Sequence, residues 1–290
     1  MEYLIKRTYN LTNADKGEWV ERISSWMKYL RKSSSPDCCV KINLQRAISK
    51  KNISSFHIVL LSCFMEAIRK NGYLILLNIR NKELEKFIQR NTSLTLYWKI
   101  DTDHLDLDGG SELNLWKVIE GEFEKYEKNV HRYFTNKFPT INFLGLTSSL
   151  DELYFNVFDH SEANGIAFSY IHYDEIKRII HVAICDFGAG IANSVKNAYS
   201  RAKDDKKALF ESIKRGVTSK SNEHNAGCGL DNVISTLSDG SMFRIVSNRA
   251  VLFCAKEAVG VKTKTYDLPF EFKGTLISFD LPISSFEKMK

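Results

Sequence analysis

Glu152, Asn156 and His160 recur every fourth residue in Asp151-Glu-Leu-Tyr-Phe-Asn-Val-Phe-Asp-His. Leu153, Val157 and Phe158 in the same stretch fall at helical spacing and predict an apolar face. The three polar residues then share the opposite face of that helix. A carboxylate there, Glu152, can take a proton from water or from a substrate hydroxyl. One turn further on, the amide oxygen of Asn156 is a hard ligand of the kind magnesium accepts, and this ion usually keeps several waters while it bridges phosphates. His160 reads more simply as a helix-surface or satisfied core histidine.

A second pattern closes a predicted strand over 179–185, with Asp186-Phe-Gly188-Ala-Gly190-Ile following it. A carboxylate where a buried strand stops can accept a hydrogen bond from an exocyclic amino group and so read adenine. Gly188 and Gly190 would let the backbone approach a base and sugar without a Cβ in the way. Further on, Gly227-Cys-Gly229-Leu230 opens another predicted helix, whose first N–H groups and dipole favour a phosphate. Gly274-Thr275 precedes the last predicted strand. Each piece suits ATP.

Together these residues resemble the GHKL superfamily, which includes gyrase-type topoisomerases, ninety-kilodalton heat-shock chaperones, histidine kinases and MutL-type repair proteins. The resemblance covers about residues 140 to 285. Glu152 and Asn156 look like its N-box, Asp186, Gly188 and Gly190 like its first glycine box, and Gly227, Gly229 and Leu230 like its second. Thr275 matches the threonine that supports the adenine-binding aspartate. The resemblance implies a Bergerat-type α/β sandwich that binds ATP with Mg2+, with Glu152 catalytic, Asn156 on the metal, and residues 193–226 as a mobile lid. Lys220 is among the residues of that lid that would reach the phosphates, along with Lys214, Arg215, Thr218 and Ser219.

Two departures narrow the likeness. Common histidine kinases carry a basic residue three after the N-box asparagine, and here Asp159 stands there. Glu-x-x-x-Asn-x-x-x-His looks more like the anti-sigma-factor serine kinases, which often act on STAS partners. The chain also runs only a few residues past its final predicted strand, so no transducer domain is expected. Two functions follow as expectations: an enzyme that phosphorylates a partner protein or hydrolyses ATP, or a binding module in which ATP closes the lid and changes which partner is held.

Other chemistries fit less well. A Rossmann turn would need a third glycine where Asn193 stands, and an acidic residue after the next strand. Asp101, Asp103 and Glu112 have calcium-loop spacing, but Leu105 and Asp106 occupy positions where an EF-hand needs a ligand and a glycine. The six cysteines, Cys38, Cys39, Cys63, Cys185, Cys228 and Cys254, show neither Cys-x-x-Cys spacing nor a paired framework, which fits reduced thiols in a cytoplasm. A net charge of +6 is spread along the chain with no basic run interleaved with aromatics, so nucleic acid is not indicated. Lys203, Lys206 and Lys207 are offset by Asp204 and Asp205, which reads as a solvated face. No apolar run approaches the length of a membrane span, and the N-terminus lacks a signal-peptide hydrophobic region.

The elements that must position these groups fall into three parts. Residues 1–112 predict a smaller α/β domain with a partly parallel sheet: a helix over 17–31, a strand over 39–44, a buried helix over 55–71, a strand over 73–79, a helix over 82–90 and a strand over 94–100. Their order is similar to STAS domains. Residues 113–138 predict a connecting helix, because Trp116, Ile119, Phe123, Tyr126, Val130 and Tyr133 alternate at three and four residues. That seam suggests a helix packed on one domain, or a homodimer helix as in histidine kinases. His131 lies one residue off it, followed by Arg132-Tyr-Phe where a phosphoacceptor box would carry an acidic residue. Residues 139–290 predict the ATP-binding domain, with strands over 167–173, 179–185, 242–247, 251–256 and 275–281.

Overall fold

The computed structural model describes residues 4–92, 94, 115–119, 122–147, 149–150, 153–154, 166–214, 230–235, 237, 239–257 and 259–287. The chain is mixed α/β and divides into two compact units, Met1–Leu115 and Trp116–Lys290.

The first unit alternates β1 (Leu4–Leu11), α1 (Lys16–Lys28), β2 (Cys38–Leu44), α2 (Ser55–Lys70), β3 (Leu74–Ile79) and α3 (Lys82–Asn91). Its three strands pair in parallel in the order β1-β2-β3. α1 starts where the Asp15 carboxylate accepts the Glu18 N–H at 2.8 Å, and α3 where the Asn81 side chain accepts from Glu83 and Leu84. α2 is buried from Ser55 to Ile68, Ser62 and Glu66 included; the Ser62 hydroxyl donates to the Ile58 carbonyl at 2.7 Å and Glu66 accepts from Arg69. Asn10, Asn43 and Asn78 lie opposite one another and form a side-chain ladder across the sheet, with N···O distances of 2.8 and 2.9 Å. β1 was not foreseen: only Tyr9 and Leu11 of its residues are buried, so its sequence carries no alternation to read. The strand expected over 94–100 and the calcium-like spacing of Asp101 to Glu112 lie outside the described residues, apart from buried Leu94.

In the second unit, β4 (Trp116–Lys117), β5 (Ala167–Asp174), β6 (Ile179–Asp186), β8 (Gly260–Pro282) and β7 (Met242–Glu257) form one antiparallel sheet in that spatial order. The helix expected from Trp116 onward begins only at α4 (Phe123–Lys137). Trp116 and Lys117 pair instead with Ser169 and Phe168, and the Val118 N–H donates to the Ala167 carbonyl at 2.9 Å. The three-and-four spacing of Trp116 and Ile119 thus belongs to an edge strand and its turn. Tyr126, Val130 and Phe134 of α4 are buried in the chain, so a homodimer through residues 113–138 would have to use other residues of that segment. His131 is exposed.

Ser169 on β5 joins the helices to the sheet. The Tyr154 hydroxyl donates to its Oγ at 2.7 Å, and the Tyr126 hydroxyl lies 3.3 Å from the same oxygen. Burial pushes the Tyr126 phenol up to about 12. Leu153 and Tyr154 are helical and buried, but Glu152, Asn156 and His160 lie outside the described residues.

β7 doubles back at Asn248. The Lys256 N–H donates to the Ser241 carbonyl at 3.3 Å, and the Arg244 guanidinium lies 4.9 Å over the Phe253 ring. The two strands expected over 242–247 and 251–256 are therefore the halves of one bent element. β8 extends well beyond the strand expected over 275–281. It first accompanies the second half of β7 and then, after a register shift, runs between β6 and the first half.

The expected lid over 193–226 divides. α5 (Ile191–Ala198) and α6 (Asp205–Ser212) pack as ordinary helices, burying Ile191, Ala192, Val195, Ala208 and Leu209. Asp204 and Asp205 are not simply solvated. Asp204 caps α6 by accepting the Lys207 N–H at 2.8 Å, while the Asp205 carboxylate binds both Lys196 and the Arg249 N–H, the latter at 3.0 Å. The remainder, 215–226, lies outside the described residues. α7 (Leu230–Ser235) and α8 (Ser284–Glu287) complete the unit. Among the described residues no helix is long and apolar enough to cross a membrane.

Candidate functional site

Three neighbouring strands bring their polar residues into one row. Asp186, the last residue of β6, stands opposite Thr275 on β8, and Thr275 stands opposite Ser247 on β7. All three are buried, with Asp186 only 3 % exposed. Immediately after Asp186 the chain leaves the sheet through Phe187-Gly-Ala-Gly190 and enters α5.

The turn is tied down from both sides. The Gly188 N–H donates to Asp186 Oδ1 at 2.8 Å. At the start of α5, the Ile191 N–H donates to Thr275 Oγ1 at 3.0 Å, and the Ala192 N–H to Ser247 Oγ at 3.4 Å. These are N–H groups that a helix start leaves without internal partners. The sheet, through Thr275 and Ser247, supplies acceptors for both.

Glycine at 190 is required by the chain's own packing. With φ of +84°, it sits where an added Cβ would lie 2.6 Å from Ser247 Oγ and 2.6 Å from Asn248 Oδ1. Gly274 is more constrained still, at φ of +118° with its Cβ position 2.0 Å from the Asp186 carbonyl oxygen. By spacing, Gly188 and Gly190 leave room for a base; at Gly190 the close approach is to β7 and β8.

Burial drives the Asp186 carboxyl up from an ordinary 3.8 to about 7, against hydrogen bonds from Gly188 and from the backbone and side chain of Thr275 that favour its ionised form. A carboxylate offers about four lone-pair sites. Three donors therefore leave capacity for one more, which an exocyclic amino group can fill.

The other expected residues divide in the same way. Leu230 is buried at the first position of α7. Lys220, Gly227 and Gly229 lie outside the described residues, as do Glu152 and Asn156. Lys214, expected above the phosphates, donates to Glu211 at 2.6 Å and lies 4.8 Å over the Phe210 ring. Among the described residues no group of three or more His, Cys, Asp or Glu side chains is arranged to hold a metal ion. Ser247 and Asn248 were not foreseen as part of the site. The signal was present in Ser-Asn-Arg between two apolar strands, since asparagine tolerates the left-handed conformation of a tight turn.

No protein-family model matches the sequence, and no curated protein matches it. Among solved structures, one that is similar is the topoisomerase IV ATP-binding domain of Francisella tularensis in complex with a small-molecule inhibitor, at 15% identity and a TM-score of 0.31. The likeness covers 52% of this chain and 41% of that one. This chain thus spans less than half the length of that neighbour.

Proposed function

We propose that the chain is a magnesium-dependent ATP-binding protein of the GHKL type that hydrolyses ATP or phosphorylates a partner protein. The observation that supports this is the buried carboxyl of Asp186 at the end of β6, with Gly188 on one side, Thr275 on the other and acceptor capacity remaining for an amino group. In this reading Asp186 selects adenine and Thr275 orients the carboxyl. Glu152 takes the proton from the attacking water or hydroxyl, and Asn156 offers its amide oxygen to the metal. Gly227, Gly229 and Lys220 would serve the phosphates. When bound, magnesium would offset the negative charge of the phosphates. The first unit would carry partner recognition.

Titration with ATP and GTP, each with magnesium, tests the binding reading. ATP should bind the parent and GTP poorly, and Asp186→Asn should weaken ATP by roughly 1.5 to 3 kcal/mol, the range for a hydrogen bond to a charged group. Equal affinities for ATP and GTP, unchanged in the variant, would remove the assignment. The chemical step is tested apart from binding: Glu152→Ala should keep nucleotide affinity and lower γ-phosphate loss about 10²-fold. No phosphate loss from the parent, alone or with partner proteins, would leave a binding module.

A further inference from the structure

The bend of β7 reaches from α6 to the turn beside Asp186. Ser247 Oγ lies 2.9 Å from the Gly274 carbonyl oxygen and 3.0 Å from Asn248 Oδ1, so its single proton is shared between two acceptors, and it receives the Ala192 N–H. Asn248 Nδ2 donates to the Ala189 carbonyl at 3.4 Å. Its backbone is left-handed, with φ of +52°. One residue on, the Arg249 N–H is held by Asp205 of α6 at 3.0 Å.

Burying a hydroxyl and a primary amide is costly unless both are paired, and an apolar pair at the edge of the core would avoid that cost. Both side chains are nevertheless buried, Ser247 completely and Asn248 to 3 % exposure. Their partners outside the bend are main-chain groups of Ala189, Ala192 and Gly274. These belong to the two segments that run beside Asp186. An arrangement that spends buried polar groups on one glycine turn is a brace for that turn.

We infer that Ser247 and Asn248 are positioning residues that fix the Gly188–Gly190 turn relative to Asp186, with Asp205 anchoring the bend from α6. The consequence for a nucleotide rests on the ATP reading above, whereas the brace itself does not. Gly190 then matters because it lets the turn come down onto Ser247 and Asn248, setting how deeply a base can sit against Asp186.

The test measures site-resolved amide exchange and ADP binding in the full chain. Ser247→Ala should speed exchange of the Ala192 amide about five- to tenfold while the Ile191 amide, held by Thr275, keeps its rate. Thr275→Val should do the reverse. Asn248→Gly keeps the left-handed backbone without strain and removes only the amide side chain. It should loosen the turn and weaken ADP by a similar factor with little change in thermal midpoint. A general loss of stability would speed both amides together, so the crossed pattern separates positioning from mere structure. Unchanged Ala192 exchange in Ser247→Ala, together with parental ADP affinity in both β7 variants, overturns the inference. If the parent binds no adenine nucleotide, the ATP reading falls and the exchange pattern alone decides the brace.

Discussion

Asp186 is caught between two demands that one carboxyl group can meet only at different pH. Burial favours its neutral acid, whereas a ligand amino group would favour its ionised form. Folding raises its affinity for a proton, so the stability it lends is present below pH 3.8 and is lost as pH rises through about 7. Once ionised, the group costs the folded chain roughly 4 kcal/mol relative to its protonated state. Asp186→Asn carries no such charge. The variant should therefore match the parent in urea unfolding near pH 4 and exceed it by a few kcal/mol at pH 8. The same charge should govern binding with the opposite sign. With magnesium saturating, parent affinity for ATP should rise about tenfold from pH 6 to pH 8, because only the ionised carboxyl accepts the amino hydrogen without first losing a proton. A difference in stability between parent and variant that stays flat with pH would show that Asp186 is not held near its protonated form.

Among the elements, β8 is the one on which the site depends, because it carries Gly274 and Thr275 between β6 and β7. A Cβ at Gly274 would meet the Asp186 carbonyl oxygen at 2.0 Å, a main-chain atom of the neighbouring strand that cannot turn aside. Gly240, at φ of +82°, has nothing within 4 Å of its Cβ position. Gly240→Ala should cost about 1–2 kcal/mol, from the left-handed backbone alone. Gly274→Ala should cost more than about 3 kcal/mol or leave no folded second unit. Thermal unfolding of the two variants checks this, and equal losses would mean that β8 does not run so close to β6. Elements like this show what the sequence can reveal. The strand ending at Asp186 and the buried helix α2 were readable because each holds a run of four apolar residues, Val182 to Cys185 in the strand and Ile58 to Leu61 in the helix. The outer part of β8 was not, since Lys262, Lys264 and Asp267 give it the polarity of a loop while its hydrogen bonds come from β7. Trp116 misled for the opposite reason: a large apolar residue on a two-residue edge strand fell into register with the helix after it. Asp186 and Thr275 were legible from motif spacing, but Ser247 and Asn248 gained their place from a bend that joins residues far from 188–190 in sequence.

At the scale of the whole molecule, the candidate site draws its described residues from the second unit alone. β6, β7, β8 and α5 supply Asp186, Ser247, Asn248, Thr275 and the glycine turn, while the first unit has its own parallel sheet and its own core. Since the helices of 191–212 are already packed, ordering by a ligand cannot begin with that part of the expected lid. A ligand that binds only the folded state stabilises it by about 2.7 kcal/mol at a hundred times its dissociation constant, and the gain falls on the openings that expose its contacts. ATP with magnesium should therefore slow amide exchange in residues 186–192, 247–249 and 274–276. The amides of β1, β2 and β3 should exchange at the rate seen without nucleotide. Protection concentrated in the first unit, with 186–192 unaffected, would place the nucleotide away from Asp186.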